Sequence, residues 1–111
     1  MHELSLTEGI VDICLRHAEG KRIISVTLEI GCLSSAVPEA IEFCFSACSA
    51  DTTLHGARLV IDRVEGRGCC LACGEEQPVV RHFDPCRRCG GYGVRIVAGE
   101  ELRVREIEVA D

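Results

Sequence analysis

The sequence predicts an α+β fold: two helices packed on one face of a small three-stranded sheet, with a cysteine-rich module inserted before the last strand. Three observations predict it. Helical and strand periodicities alternate through the first half of the chain. Glycine, proline and cysteine then crowd into residues 66–99, and an alternating apolar segment, Leu102–Val109, follows that stretch. The predicted domains are therefore 1–65 together with 100–111, and 66–99.

Ser5-Leu6-Thr7-Glu8 has capping-box spacing, and Leu6, Ile10, Ile13 and His17 follow at helical intervals. A helix is expected from about Ser5, or a residue or two earlier, to about Ala18, with Gly20 ending it. Ile24, Val26, Leu28 and Ile30 alternate with Ser25, Thr27 and Glu29, the pattern of a half-buried strand that Gly31 closes. Pro38-Glu39 opens a second helix, because proline's missing N–H costs nothing in a first turn; Ile41, Cys44, Phe45 and Cys48 lie along one side. Ala57, Leu59 and Ile61 mark a second strand. In Leu102–Val109 the alternation slips at Arg105-Glu106, which predicts a bulge or a change of buried face.

Composition narrows the function. The 111 residues are 47% hydrophobic with a net charge of −6, so the chain folds and has no general attraction for nucleic acid. Apolar runs such as Ile23–Ile30 are too short to span a bilayer, and no basic, apolar export leader is evident. No membrane partner and a cytoplasmic location are expected. Nine cysteines, an odd number without an export signal, point to reduced thiols with some bound to metal.

Cys70-Leu71-Ala72-Cys73-Gly74 and Cys86-Arg87-Arg88-Cys89-Gly90 form C-x2-C-x12-C-x2-C. Two residues between thiolates let a tight turn aim both sulfurs at one ion, and the glycine after each pair takes the positive φ that the turn needs. Four thiolates in a tetrahedron select zinc, and a closed four-sulfur site leaves no position for catalysis. A structural Zn(II) in a zinc-ribbon module is the expectation. Cys69 adjoins Cys70 but lacks the two-residue spacing to Cys73, so it stays outside the ligand set. His82, inside the loop, is the only histidine placed to replace a thiolate.

Zinc ribbons also bind nucleic acid. Here residues 66–99 carry five Arg against two Glu and one Asp, or +2, which four thiolates and one Zn(II) cancel. No basic-aromatic stripe is present, so no nucleic-acid partner is expected. Cys14, Cys44 and Cys48 fall on helical patterns and Cys32 follows the first strand. Cys44 and Cys48 are four apart and so able to hold a metal or oxidise, although small buried hydrophobes are the plainer reading.

Met1-His2-Glu3 carries a second kind of metal chemistry. A free α-amine, the His2 amide nitrogen and the His2 Nδ1 close five- and six-membered chelate rings on one ion. The Glu3 amide nitrogen completes a square plane, or its carboxylate caps one. Nitrogen-rich tetragonal sites favour Ni(II) or Cu(II). The alternative is that His2 merely precedes a helix, where its charged form opposes the dipole.

The chain resembles the HypA/HybF family of hydrogenase maturation factors, which are nickel metallochaperones. The matching stretches are MHELSLTEGIVDI, VTLEIGCLSSAVPEAIEFCF, CLACG with PCRRCGG, and GEELRVREIEV, which together cover nearly the whole chain in order. The resemblance implies that His2 is the essential nickel ligand, with Met1 and Glu3 beside it, and that Cys70, Cys73, Cys86 and Cys89 hold structural zinc. It implies transient Ni(II) as cargo, delivered with a HypB-type GTPase to the large subunit of [NiFe]-hydrogenase; some members also serve urease, through its maturation proteins. Cys69, and His55 where an acidic residue is usual, depart from the family pattern, and no histidine flanks either cysteine pair. No serine, cysteine or carboxylate pair shows the base-and-orienter pattern of a catalyst, so no enzymatic activity is expected. Monomer and homodimer are both compatible with the sequence.

Overall fold

The computed structural model describes residues 3–111. The expectations for Met1 and His2 lie outside the described residues. Two helices and six strands follow in the order α1 (Glu3–Ala18), β1 (Ile23–Gly31), α2 (Pro38–Ser49), β2 (Arg58–Val64), β3 (Arg67–Cys70), β4 (Glu76–Pro78), β5 (Val94–Ala98) and β6 (Leu102–Val109). The chain divides into two compact units. Among the described residues the first comprises 3–29, 35–62 and 102–111, and the second comprises 30–34 and 63–101.

In the first unit, α1 starts at Glu3, two residues before Ser5 and within the expected range, and turns through Ser5. Thr7 is fully buried and its hydroxyl donates to the Glu3 carbonyl at 2.6 Å, so the turn before Ser5 is already helical. The expected capping box is thus displaced into the helix interior. At the other end Glu19 and Gly20 both take positive φ, 53° and 82°, and Lys21 N–H donates to Ala18 O. Pro38 starts α2 as a first-turn residue, and Val37 before it makes no side-chain cap bond.

Strands β2, β1 and β6 form a sheet in that order. Ile23 N–H donates to Thr53 O just before β2, and Cys32 N–H donates to Val64 O at the far end, so β1 and β2 run parallel. Gly31 N–H to Glu101 O and Ala110 N–H to Arg22 O make β6 antiparallel to β1. Helix α2 is the crossover that a parallel pair requires. Ile10, Val11, Cys14, Val26, Leu28, Ile41, Phe45 and Leu54 are buried, and each large apolar side chain contributes ~1.5–3 kcal/mol to the core. The opposite side of the sheet is polar: Arg103 pairs with Glu29, Arg105 donates to Asp62 at 2.7 Å, and Ser25 donates to Glu108. Exposure along β6 repeats at Arg105 and Glu106, and Arg103 and Glu108 on either side of that point both reach the Ser25–Glu29 face of β1, so the slip is a bulge that keeps the same face buried.

The second unit holds a small antiparallel sheet, β4-β3-β5, that sequence reading passed over as loop. Gly68 sits opposite Gln77 on one side and Ile96 on the other. Its chain crossing is built on glycine. A Cβ on Gly99 would lie 2.6 Å from the Gly66 Cα, and one on Gly31 would collide with the Gly99 carbonyl. No described helix is long and apolar enough to cross a membrane.

Candidate metal centre

The two cysteine pairs are two copies of one turn. In the first, Gly74 N–H donates to Cys70 O (2.8 Å) and Cys70 N–H to Glu75 O (2.9 Å). In the second, Gly90 N–H donates to Cys86 O (2.9 Å) and Cys86 N–H to Gly91 O (2.8 Å). Gly74 and Gly90 have φ of 78° and 75°, a region that side chains with a Cβ enter only at a cost. Leu71 N–H donates to Gly93 O, joining the first turn to the strand that follows the second.

These turns bring the sulfurs of Cys70, Cys73, Cys86 and Cys89 within 4.8 Å of one another. Cys70 and Cys89 are 3.7 Å apart, and Cys73 and Cys86 are 3.6 Å apart. Disulfides need about 2.05 Å. A tetrahedron with Zn–S bonds of ~2.3 Å has edges of about 3.8 Å, so the set fits a structural zinc ion. Cys70 and Cys86 are buried, whereas Cys89 is exposed.

Backbone N–H groups favour the thiolate form. Cys86 is held down to about 6, chiefly by the Cys89 N–H and then by the Arg88 N–H, which approach its sulfur to 3.5 and 3.4 Å. The Cys73 and Ala72 N–H groups lower Cys70 likewise. Cys73 has the Glu75 N–H pulling it down, yet burial and its hydrogen bonds with Cys86, Cys70 and Cys89 push it up to about 12. The crowding of four sulfurs therefore opposes their joint ionisation, and a divalent ion removes that conflict.

Gln77 is a residue that sequence reading missed. It is 4% exposed, its Nε2 donates to Pro85 O (3.0 Å), and its Oε1 accepts the Arg87 N–H (2.7 Å). One amide thus fastens β4 to both sides of Cys86. Asp84 accepts the N–H groups of Val80 and Arg81, whose bonds lower its pKa and close the loop between the turns. His82 is not part of the four-sulfur cluster, and its Nε2 lies 3.1 Å from Glu100 Oε2. Cys69 alternates with Cys70 along β3, and its thiol approaches Gly74 O at 3.8 Å. Of the terminal triad only Glu3 lies among the described residues, where it opens α1.

A family profile described as hydrogenase/urease nickel incorporation, metallochaperone, HypA, matches residues 1–109. The chain belongs to the HypA family. Hydrogenase maturation factor HypA of Geobacter metallireducens is 62% identical over 98% of this chain and 99% of its own, and that of Geobacter sulfurreducens is equally similar over the same shares. Among solved structures, one described as HypA protein superposes with a TM-score of 0.70 at 25% identity, covering 99% of this chain and 97% of its own. The nickel metallochaperone HypA of Helicobacter pylori shares the fold, with a TM-score of 0.65 at 23% identity over 98% and 97% of the two chains.

Proposed function

We propose that this HypA-family chain is a nickel metallochaperone that takes up Ni(II) at Met1, His2 and Glu3 and releases it during maturation of [NiFe]-hydrogenase. The observation that carries this reading is the family match, which runs from the first residue to 109 and so includes the terminal triad. The Met1 amine, the His2 amide and Nδ1, and the Glu3 amide or carboxylate supply a nitrogen-rich chelate. The first N–H groups of α1, Glu3 among them, have no carbonyl partner within the helix. A deprotonated amide there offsets the opposition between a cation and the helix dipole. Such an open site gives up its metal by stepwise ligand exchange, which suits cargo.

Cys70, Cys73, Cys86 and Cys89 are assigned the complementary role: a closed zinc site that holds the ribbon in shape. The working division is a nickel-binding domain, 1–65 with 100–111, and a zinc-ribbon domain, 66–99. A HypB-type GTPase and the hydrogenase large subunit are the proposed partners, in the cytoplasm, with urease maturation proteins as a second target because the family description includes urease. The chain delivers metal and catalyses nothing itself. Metal analysis tests this directly. Wild type should bind Ni(II), and His2→Ala or an added N-terminal residue should abolish that binding while zinc content holds. Undiminished nickel binding by either form overturns the terminal chelate.

A further inference from the structure

The thiols outside the ribbon are not alike. Cys14 is fully buried among apolar side chains, and burial pushes it up to about 11, which makes it an inert core residue. Cys44 and Cys48 are instead partly exposed on α2. Their spacing of four residues puts their Cβ atoms about 5–6 Å apart on one helix face, the separation at which two side chains share one ion. Glu8 on α1 acts electrostatically on Cys48 from the neighbouring helix. Glu8, Val11, Asp12, Leu15, Cys48 and Thr52 line an open cavity of about 320 Å³ between the two helices. Asp12 is engaged with Arg16 at 3.2 Å, which leaves Glu8 as the carboxylate for this cavity.

We propose that Cys44, Cys48 and Glu8 form a second metal site, separate from both the ribbon and the N-terminus, that takes a thiophilic d10 ion such as Cd(II) or Zn(II). Two soft thiolates select such an ion, and one carboxylate and solvent complete its shell. Among the described residues only the four ribbon cysteines bring three or more ligand atoms within 4.8 Å of one another. The α2 pair is therefore a two-point chelate, onto which the exposed Glu8 side chain closes by rotating. The electrostatics agree. Burial first, then the charge of Glu8 and of Cys44, hold the proton on Cys48, and the same negative surroundings favour a cation that displaces it. Entry of the metal releases the thiol protons and leaves no oxidation change.

A cadmium titration tests this on the full chain carrying one additional N-terminal residue, which removes the terminal chelate. Thiolate-to-cadmium charge-transfer absorbance should rise in two steps and saturate at two equivalents, one in the ribbon and one on α2. Cys44→Ser and Cys48→Ser should each remove the second step and keep the first. Glu8→Gln, a surface change that leaves folding intact, should weaken the second step about tenfold. Saturation at one equivalent in the parent, or a second step that survives both cysteine substitutions, overturns the site. A second step unaltered by Glu8→Gln overturns the three-residue assignment.

Discussion

The side-chain oxygen of Gln77 accepts a 2.7 Å hydrogen bond from the backbone N–H of Arg87. Gln77 is nearly inaccessible, and Arg87 directly follows Cys86 in the chain. The same amide's nitrogen reaches Pro85 O, so the residues on both sides of Cys86 hang from one side chain. A partner just outside the ligands orients them, and losing one typically costs roughly 10–100-fold in metal affinity. Gln77→Ala also strands the Arg87 N–H and the Pro85 carbonyl, at about 1–3 kcal/mol for each group left buried. Zinc release to a competing chelator should accelerate at least about tenfold. Release at the wild-type rate would show that the turn holds Cys86 by itself.

Two glycine substitutions should act in opposite directions. Gly99 has φ +111°, and a Cβ there meets the Gly66 Cα at 2.6 Å. Gly99→Ala combines an unfavourable backbone region with overpacking, for a loss of roughly 2–6 kcal/mol. Gly9 lies inside α1 with nothing within 4 Å of its would-be Cβ. Gly9→Ala should therefore stabilise by up to about 1 kcal/mol, through helix propensity and a stiffer unfolded chain. Thermal unfolding of the two variants beside wild type checks both signs.

What could be read from the sequence was local. The Ile24–Ile30 alternation, Pro38 at a first turn and the slip at Arg105-Glu106 each declare themselves within a few residues, and the structure has β1, α2 and a break in the β6 alternation at those places. The paired C-x2-C spacing is equally local, because a turn of that length needs little beyond its own glycine. Gln77 could not be found this way: its partners lie eight and ten residues on, and a lone polar residue gives no pattern. Strands β3 and β4 are four and three residues long and carry glycine, cysteine and proline, so neither periodicity nor propensity marks them. Register between non-adjacent segments makes them strands. The capping box misled for a related reason: Ser5-x-x-Glu8 matches the spacing, but the Thr7 bond to Glu3 continues the helix past it. Cys44 and Cys48 looked like Cys14 in sequence, and their partial exposure on α2, with Glu8 acting on Cys48 from the adjacent helix, separates them.

Proton release on zinc uptake should fall short of four per ion at pH 7.5. Cys86, lowered to about 6, has already lost its proton in the metal-free protein, while Cys73, raised to about 12, keeps its own. The sign for stability follows from these shifts. Ionised Cys86 stabilises the metal-free fold above its ordinary value of 9.0, and that contribution disappears as pH falls through about 6. Cys73 works the other way, favouring the fold below 9.0 and losing its contribution as pH rises toward 12. Zinc titration in weakly buffered solution with an indicator dye counts the protons. Four released at pH 7.5 would mean that the Cys89 and Arg88 N–H groups do not stabilise the Cys86 thiolate.

Nickel and zinc should separate on lowering the pH. The reference pKa of an α-amine is ~7.7–8.0 and that of imidazole ~6.5, so both nitrogens proposed for nickel take up protons just below neutrality. Each proton must leave before the metal occupies that nitrogen, and the amide nitrogen must lose its own as well. Nickel affinity should therefore fall between about pH 7.5 and about pH 6 by more than one proton's worth per ion. The zinc thiolates also compete with protons, but four sulfurs on one ion carry much more binding free energy, and Cys86 stays largely ionised until about pH 6. Zinc should remain bound across the same range. A calorimetric nickel titration at three pH values, with zinc content measured in parallel, distinguishes the two behaviours. Nickel binding that is flat with pH would exclude an amine-and-imidazole chelate and move the cargo site to the thiols of Cys44 and Cys48.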